Sequence, residues 1–334
     1  MSTIADVAAR AGVSKATASR ALSGRGYVSE ETRARVAEAA AELSYIAHST
    51  ATSLATGRTR TVGVIVPELD RWFFAEVLAG VQAALLESDH DLALYGMREG
   101  SQMREHVFDT VLPRRRFDGL IAVGMQPHEH ELDRLLALNL PLVCLGPYAA
   151  GASSVSIDDA AASRIATEHL LDLGHRDIVF LGGSEGAAAG IGDGLRLTGY
   201  LDAMSAAGLA DRTRHVPAPS TMSGGFAAAA DVLGDRRSRP TAVVGVCDEA
   251  AIGTIIAARR LGVAVPAELS VVGIDDHRDA EMFALTTIRQ HPRDQGAEAV
   301  RLLQRRLEHP DAAAAHVIAA SSLVVRSSTA AARD

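Results

Sequence analysis

Residues 3–33 read T-I-A-D-V-A-A-R-A-G-V-S-K-A-T-A-S-R-A-L-S-G-R-G-Y-V-S-E-E-T-R. Thr3 suits a helix N-cap, with Asp6 in the capping-box position three residues on. Ile4, Val7, Ala8 and Ala11 recur at helical spacing until Gly12, which can take positive φ and stop the helix. Ser14 is a fresh N-cap for a second helix from Lys15 to about Leu22. Ser29 caps a third helix to about Leu43, with Glu30 and Glu31 in the first turn, where the macrodipole favours them. Its apolar stripe is Val36, Ala39, Ala40 and Leu43. Two short helices joined by a tight glycine turn form a helix-turn-helix pattern. The outer face of the second helix holds Lys15, Ala16, Thr17, Ser19 and Arg20, which make a poor core. They suit a DNA groove: Lys and Arg read guanine, Ala and the Thr methyl meet thymine methyls, and hydroxyls bind phosphates. A small helical bundle without a DNA role is the plain alternative.

The chain around this stretch has 334 residues, enough for roughly two or three domains. Its apolar share of 48% and charged share of 22% are those of a globular protein, not a disordered one. The net charge of −8 is unevenly spread: residues 1–60 hold 8 Lys+Arg against 5 Asp+Glu, while the rest holds 25 against 36. Lys15 is the sole lysine, so a Walker phosphate loop and a pyridoxal-phosphate Schiff base are both excluded. Cys144 and Cys247 form no metal-ligand spacing and read as buried thiols. No cofactor or metal is expected. The N-terminus lacks a signal-peptide pattern and no apolar run reaches the length of a membrane span, so no membrane partner and a cytoplasmic, nucleoid-associated location are expected.

From residue 61 the texture becomes α/β. Apolar runs T-V-G-V-I-V-P, D-L-A-L-Y, F-D-G-L-I-A-V, L-P-L-V-C-L, D-I-V-F-L, T-A-V-V-G-V and S-V-V-G-I read as strands. Helices are expected around Ala75–Ser88, 160–173, 195–207 and 249–261. This alternation predicts parallel sheets covered on both faces, with ligands beyond the carboxyl ends of the strands. Those ends carry Glu68, Asp70, Trp72, Phe73 and Phe74, then Cys247 and Asp248, then Asp275 and Asp276, while Arg196 opens a helix after the glycine-rich stretch 182–194. Carboxylates, an arginine and aromatic rings suit a polyhydroxylated ligand. Strand-end aspartates that only cap helices are the alternative.

Residues 3–33 resemble the headpiece of the lactose-repressor (LacI/GalR) family of bacterial transcription regulators. The resemblance implies base-reading positions at Lys15, Ala16 and Arg20, and phosphate contacts near Ser14, Thr17, Ser19 and Tyr27. Residues 47–57, A-H-S-T-A-T-S-L-A-T-G, resemble the family's hinge helix, in which Leu54 would wedge into the minor groove and Ala51 would permit close helix approach. Ala47, His48 and Thr52 depart from the usual pattern, and a flexible Ser/Thr/Gly linker is the alternative.

V-G-V-I-V-P-E-L, F-F-A-E-V-L-A-G, A-T-E-H-L-L-D-L-G-H-R-D-I-V-F-L-G-G, R-L-T-G-Y and V-P-A-E-L-S-V-V-G-I-D-D resemble the family's effector domain, which is similar to periplasmic sugar-binding proteins. The implied architecture is an N-terminal helix-turn-helix headpiece plus a two-lobed effector domain of the periplasmic-binding-protein-like type I. Its expected limits are 1–46 for the headpiece, 47–60 for the hinge, 61–157 and 288–316 for the N-lobe, and 158–287 and 317–328 for the C-lobe. Carried over by motif, Asp70, Phe73, Phe74, Arg196, Asp275 and Gln290 hold effector-contact positions. Cys247 stands where the family usually has Asn, Pro147 and Tyr148 replace an Asp-Arg pair, and Ser220 lies where some members have an aromatic. The loop 277–284 is short, and Phe283 is expected to supply the missing aromatic wall.

The resemblance implies a repressor, not an enzyme: a homodimer on a pseudo-palindromic double-stranded operator, controlled by a small-molecule effector. A sugar or sugar derivative is expected, with a purine as the alternative. No apolar heptad follows S-L-V-V-R, so a dimer rather than a zipper-linked tetramer is expected. Two rival functions fit the sequence less well. A solute-binding protein without DNA contact would need a signal peptide in place of the head. A serine hydrolase would use Ser184 in G-G-S-E-G, but the helix that must follow a nucleophile elbow is displaced by Ala/Gly residues. His128-Glu129-His130 has metal-ligand residue types but no further ligand cluster, and reads as a solvated loop.

Overall fold

Thr3 opens α1 (Ile4–Ala11) through a reciprocal capping box: its side chain accepts from the Asp6 N–H, and Asp6 accepts from the Thr3 N–H. Hydrogen bonds from the backbone and hydroxyl of Thr3 hold the Asp6 carboxyl below the usual aspartate range. Gly12 closes α1 at φ 67°. Ser14 accepts from the Thr17 N–H at 3.1 Å and starts α2 (Lys15–Ser23), and Ser29 caps α3 (Glu30–Glu42). Val7, Ala8, Ala11, Ala18, Ala21, Val36, Ala39 and Ala40 form the core of this three-helix unit. With so many alanines the helices pack closely but bury little apolar area, so the caps matter to its stability.

The computed structural model describes residues 2–23, 26–45, 58–98, 101–125, 128–146, 151–183 and 191–333. Ala51 and Leu54, with the whole stretch 47–57, lie outside the described residues, as do Pro147, Tyr148 and Ser184. The chain divides into Met1–Arg60 and Thr61–Asp334. Among the described residues, no helix is long and apolar enough to cross a membrane.

The second unit contains two sheets of six described strands each. The first is ordered β11-β5-β4-β3-β1-β2, with β1 Thr61–Val66, β2 Asp91–Gly96, β3 Gly119–Val123, β4 Leu142–Leu145, β5 Ser153–Ser156 and β11 His316–Ile318. The second is ordered β12-β10-β9-β8-β6-β7, with β6 Ile178–Leu181, β7 Arg214–Val216, β8 Ala242–Gly245, β9 Ser270–Asp275, β10 Thr286–Arg289 and β12 Ser322–Val324. Every pairing is parallel except that of β12 with β10. The central strands β1, β3, β6, β8 and β9 are buried almost throughout, as parallel strands covered on both faces must be. Helices α4 (Trp72–Glu87) and α11 (Pro292–Glu308) pack together on the first sheet; α7 (Asp159–Asp172) packs with α8 (Ile191–Ala206), and α9 (Met222–Gly234) with α10 (Asp248–Arg260), on the second.

Several expected boundaries move. Strand β10 lies wholly in the second sheet, so the chain passes to the first lobe after Arg289 rather than at 288. Strand β11 stays in the first sheet to Ile318, so the return falls after it rather than at 317. In both cases ladder pairing decides, and a strand cannot change sheets midway without losing its hydrogen bonds. Helix α4 starts at Trp72 rather than Ala75, which puts Trp72, Phe73 and Phe74 in its first turn. Helix α8 starts at Ile191, so Arg196 sits in its second turn rather than at its start. His130 belongs to helix α6 (Glu129–Ala137), not to a loop, and its ring stacks on that of His128 at 5.7 Å. Glu131, in the same helix, accepts from the His128 N–H and forms a buried two-pronged ion pair with Arg104, 2.7 Å on each arm.

His175 ties the end of the chain to the second lobe. It is 3% exposed, with Nδ1 2.9 Å from Thr241 Oγ1 and Nε2 3.0 Å from both Ser270 Oγ and the Ala330 carbonyl. Burial holds its pKa below the ordinary histidine value. The folded state therefore favours neutral imidazole, and its stabilisation is complete above the unfolded pKa of about 6.5. As pH falls below that value the unfolded chain takes a proton that the fold resists. Stability is then expected to drop by at most about 1.4 kcal/mol per pH unit until the folded pKa is passed. Urea midpoints from pH 8 to pH 5.5 measure this, and His175→Gln should remove that part of the slope. An unchanged slope in the variant would assign the acid sensitivity elsewhere.

Candidate functional site

The two lobes of the second unit face each other across a cleft of about 420 Å3. Its first-lobe wall begins where β1 ends. Pro67 and Glu68 lead into the first turn of α4, where Phe73 and Phe74 meet edge to face at 5.5 Å and line the cleft. Gly124, just after β3, has φ 56°, and a Cβ there would lie 2.6 Å from Phe74 Cε1. The aromatic wall thus depends on a glycine at the neighbouring strand end.

The opposite wall is charged. Arg196 donates from Nε to Asp159 Oδ1 at 2.8 Å and from Nη1 to the Val246 carbonyl at 2.7 Å, and its Nη2 lies 3.8 Å from Asp275 Oδ1. Gln290 donates to the same Asp275 oxygen at 2.6 Å, and Gln295 donates to Gln290 Oε1 at 2.9 Å. Ser220 donates to Asp193 Oδ2 at 2.8 Å. Asp275, the last residue of β9, and Asp276 after it have φ 136° and φ 59°, a conformation that costs a non-glycine residue about 1–3 kcal/mol. Burial opposes the charge of Arg196, but Asp159, Asp275 and Asp193 outweigh it and raise its pKa further, so it stays cationic. Burial pushes the Asp159 and Asp275 carboxyls upward, and Arg196 offsets this only in part.

Arg71 crosses from one lobe to the other. Its Nε donates to Glu249 Oε2 at 3.0 Å, its Nη2 lies 3.6 Å from Cys247 Sγ, and its guanidinium sits 5.6 Å from the Phe74 ring centre. The backbone N–H of Trp72 also donates to Glu249, and the Trp72 ring meets His277 at 4.8 Å. Behind this seam Asp248 is fully buried, accepting from the His277 N–H at 2.7 Å and the Thr287 hydroxyl at 2.6 Å. Gly273 makes room for it: a Cβ there would stand 2.1 Å from Asp248 Oδ1. Asp276 is held by Arg289 and Arg326 at 2.6 and 2.7 Å. Asp248 and Asp276 are therefore struts that hold the loop after β9.

Of the expected effector residues, Phe73, Phe74, Arg196, Asp275 and Gln290 come together on the cleft. Three do not. Asp70 is exposed and lines an adjoining hollow of about 790 Å3 with Arg71 and Glu249. Cys247 is 2% exposed and lies behind the wall: it caps α10, and its thiol donates to the Ser220 carbonyl at 3.4 Å. Burial pushes that thiol up to about 12, so it is neutral. Phe283 lines a separate hollow with Ile255, Arg259 and Pro266, because the turn before β10 folds it onto the second lobe's own core. Among the described residues no aromatic ring lines that side, where Ser220 lines the cleft.

Arg71, Asp159, Asp193 and Gln295 were not expected. Asp159 had a signal: Asp158 alone caps α7, accepting from the Ala161 N–H at 2.9 Å, which leaves the adjacent aspartate free for Arg196. Arg71 and Gln295 had none, since each is defined by a partner brought near by the fold.

In the first unit, α2 buries Ala18 and Ala21 and leaves Ser14, Lys15, Ala16, Ser19 and Arg20 exposed, with Thr17 half-buried. Arg20 donates to the Ala16 carbonyl at 3.2 Å, and Tyr27 is 96% exposed. An exposed tyrosine of that degree in so small a unit contributes nothing to its core.

A family profile described as "Bacterial regulatory proteins, lacI family" matches residues 3–48, and one described as "Periplasmic binding protein-like domain" matches residues 167–329. The HTH-type transcriptional repressor PurR of Proteus mirabilis is 33% identical over 314 residues, covering 92% of this chain and 91% of that protein. Catabolite control protein A of Priestia megaterium is 31% identical over 308 residues, covering 91% and 92%. The lac repressor dimer bound to operator and the anti-inducer ONPF superposes with a TM-score of 0.86 at 27% identity, over 99% of both chains. A transcriptional regulator CelR–cellobiose complex superposes with a TM-score of 0.72 at 28% identity, over 98% of this chain and 100% of the other. With its polar-faced second helix, its paired lobes and these end-to-end likenesses, the chain belongs to the LacI family of bacterial regulatory proteins.

Proposed function

We propose that this LacI-family repressor reads a pseudo-palindromic operator as a homodimer and is controlled by a polyhydroxylated effector held between its lobes. The observation that carries the DNA reading is the surface of α2, whose exposed residues include Lys15, Ala16, Ser19 and Arg20. Lys15, Ala16 and Arg20 would face base edges, with Ser14, Thr17, Ser19 and Tyr27 at the phosphates. Leu54 would wedge into the minor groove from the segment that joins the two units in sequence, and Ala51 would permit close helix approach. The headpiece limits 1–46 and the linker 47–60 are part of this reading. Two copies of the head would match two half-sites. The site of action is the cytoplasm, on the chromosome.

The effector reading rests on Phe73 and Phe74 facing Arg196, Asp159, Asp275 and Gln290 across the cleft. Ring faces suit the apolar faces of a sugar, and the charged groups suit its hydroxyl pairs. Among the described residues that line the cleft, Phe73 and Phe74 are the aromatic rings, so a flat base would be stacked by these from one side, which favours a sugar over a purine. The family is one of regulators, not enzymes.

Selection of a random DNA library on the full chain tests the DNA reading, followed by binding of the selected site with sugars and nucleobases added. Enrichment of an inverted repeat, with affinity changed by a sugar, is the expected result. Enrichment of no sequence would defeat the operator reading, and a response to a nucleobase alone would replace the sugar.

A further inference from the structure

The charges lining the cleft do not balance. Arg71 is paired with Glu249 at 3.0 Å, and Arg98 reaches Glu68 at 4.0 Å on the rim. With these pairs set aside, Arg196 faces three carboxylates among the described residues that line the cleft, those of Asp159, Asp193 and Asp275, and Arg71 also acts on Asp275. Residues 147–150 and 184–190, which adjoin the cleft residues in sequence, contain no Lys or Arg to redress this. The carboxylates are not remote from solvent-free ground: the side chains of Asp159 and Asp275 are 10% and 6% exposed.

Arg196 approaches two of the three closely and acts on Asp193 only through space. Asp159 takes Nε of Arg196 directly and Asp275 stands 3.8 Å from Nη2. Asp193 receives only the neutral hydroxyl of Ser220 among its described hydrogen bonds. Burial lifts the Asp159 carboxyl, Arg196 offsets this in part, and the charge of Asp193 lifts it again, so the carboxylates repel one another. Such repulsion is relieved by a cation and increased by an anion.

Resting on the polyhydroxylated-effector reading, we propose that the effector carries a protonated amine beside its hydroxyl groups. An amino sugar or amino polyol would set its ammonium among Asp159, Asp193 and Asp275 and its ring against Phe73 and Phe74. Sugar phosphates and sugar acids are excluded by the same three carboxylates.

The test uses the full chain at pH 7.5 and matched sets of hexoses, 2-amino-2-deoxyhexoses, hexose 6-phosphates and hexonates in the gluco, galacto and manno series. Thermal shift identifies binders, and calorimetry gives their Kd. The best amine is expected to bind about tenfold or more tighter than its neutral parent, from one charge-assisted contact. Asp193→Asn should weaken the amine more than the neutral parent and so shrink the ratio of their Kd values, which a merely misfolded variant would not do. Tighter binding of a phosphate or hexonate, or equal binding of amine and parent, would overturn the amine assignment and leave the sugar reading standing. Binding by no member of any set would overturn both.

Discussion

Arg196→Leu is expected to destabilise the second unit by about 3–5 kcal/mol, the usual consequence of removing one partner from a buried charge cluster. Arg196 is 12% exposed in its side chain and faces Asp159, Asp275 and the Val246 carbonyl. Without it, two buried carboxylates lose their counter-ion and take up protons or water instead. The loss should therefore be smaller at pH 5 than at pH 8, because protonation removes the repulsion that the guanidinium had screened. Adding Asp159→Asn should recover part of it, since neighbours in one cluster are not additive. Urea unfolding of the two variants at both pH values measures this. A loss below about 1 kcal/mol would make Arg196 no more than a surface ion pair in energy. The same substitution should abolish any sugar-induced rise in Tm, since the proposed effector site uses the same guanidinium.

Lys15→Ala and Arg20→Ala are each expected to remove about 1–3 kcal/mol of discrimination between the selected operator and variants altered at the contacted base pair. The double variant should lose roughly the sum if the contacts are independent. Both side chains are exposed and neither belongs to the core of the first unit, so the fold should be unaffected. The expected pattern separates base reading from phosphate contact. A base-reading variant flattens preference among sequences, whereas Tyr27→Phe or Ser19→Ala should weaken all sequences alike. Competition binding at fixed salt against a panel of single-base operator variants decides it. Unchanged preference in Lys15→Ala and Arg20→Ala would remove these two residues from the base-reading surface. Salt must be held constant, because phosphate contacts make every affinity fall as salt rises.

The headpiece was legible because its determinants are local. A capping box spans four residues, the glycine stop one, and the alanine stripe of each helix a few turns, so Thr3, Gly12, Ser14 and Ser29 could be read from their neighbours. The alternation of strand and helix was legible for the same reason, as were Phe73, Phe74, Arg196, Asp275 and Gln290 from the motifs that contain them. The strands β5 (S-S-V-S), β7 (R-H-V), β10 (T-T-I-R) and β11 (H-V-I) were not, since their polar residues break the apolar run that marks the equally short β4, β6 and β8.

The cleft is where local reading ends. Phe283 and Cys247 had plausible residue types at plausible positions, yet one folds onto its own lobe and the other lies behind Ser220 and Arg71. Conversely Arg71 meets Glu249 across 178 residues of sequence, and Arg196 meets Asp159 across 37. Those distances are closed by the passage of the chain between two sheets, each ordered by strand pairing. By itself the sequence determined a polar-faced helix-turn-helix and a two-sheet α/β body, because hydrogen-bonded caps and hydrophobic period act within a few residues. Only the tertiary structure decided that three carboxylates share one guanidinium in the cleft, because burial and charge pairing depend on which distant elements the packed sheets bring together.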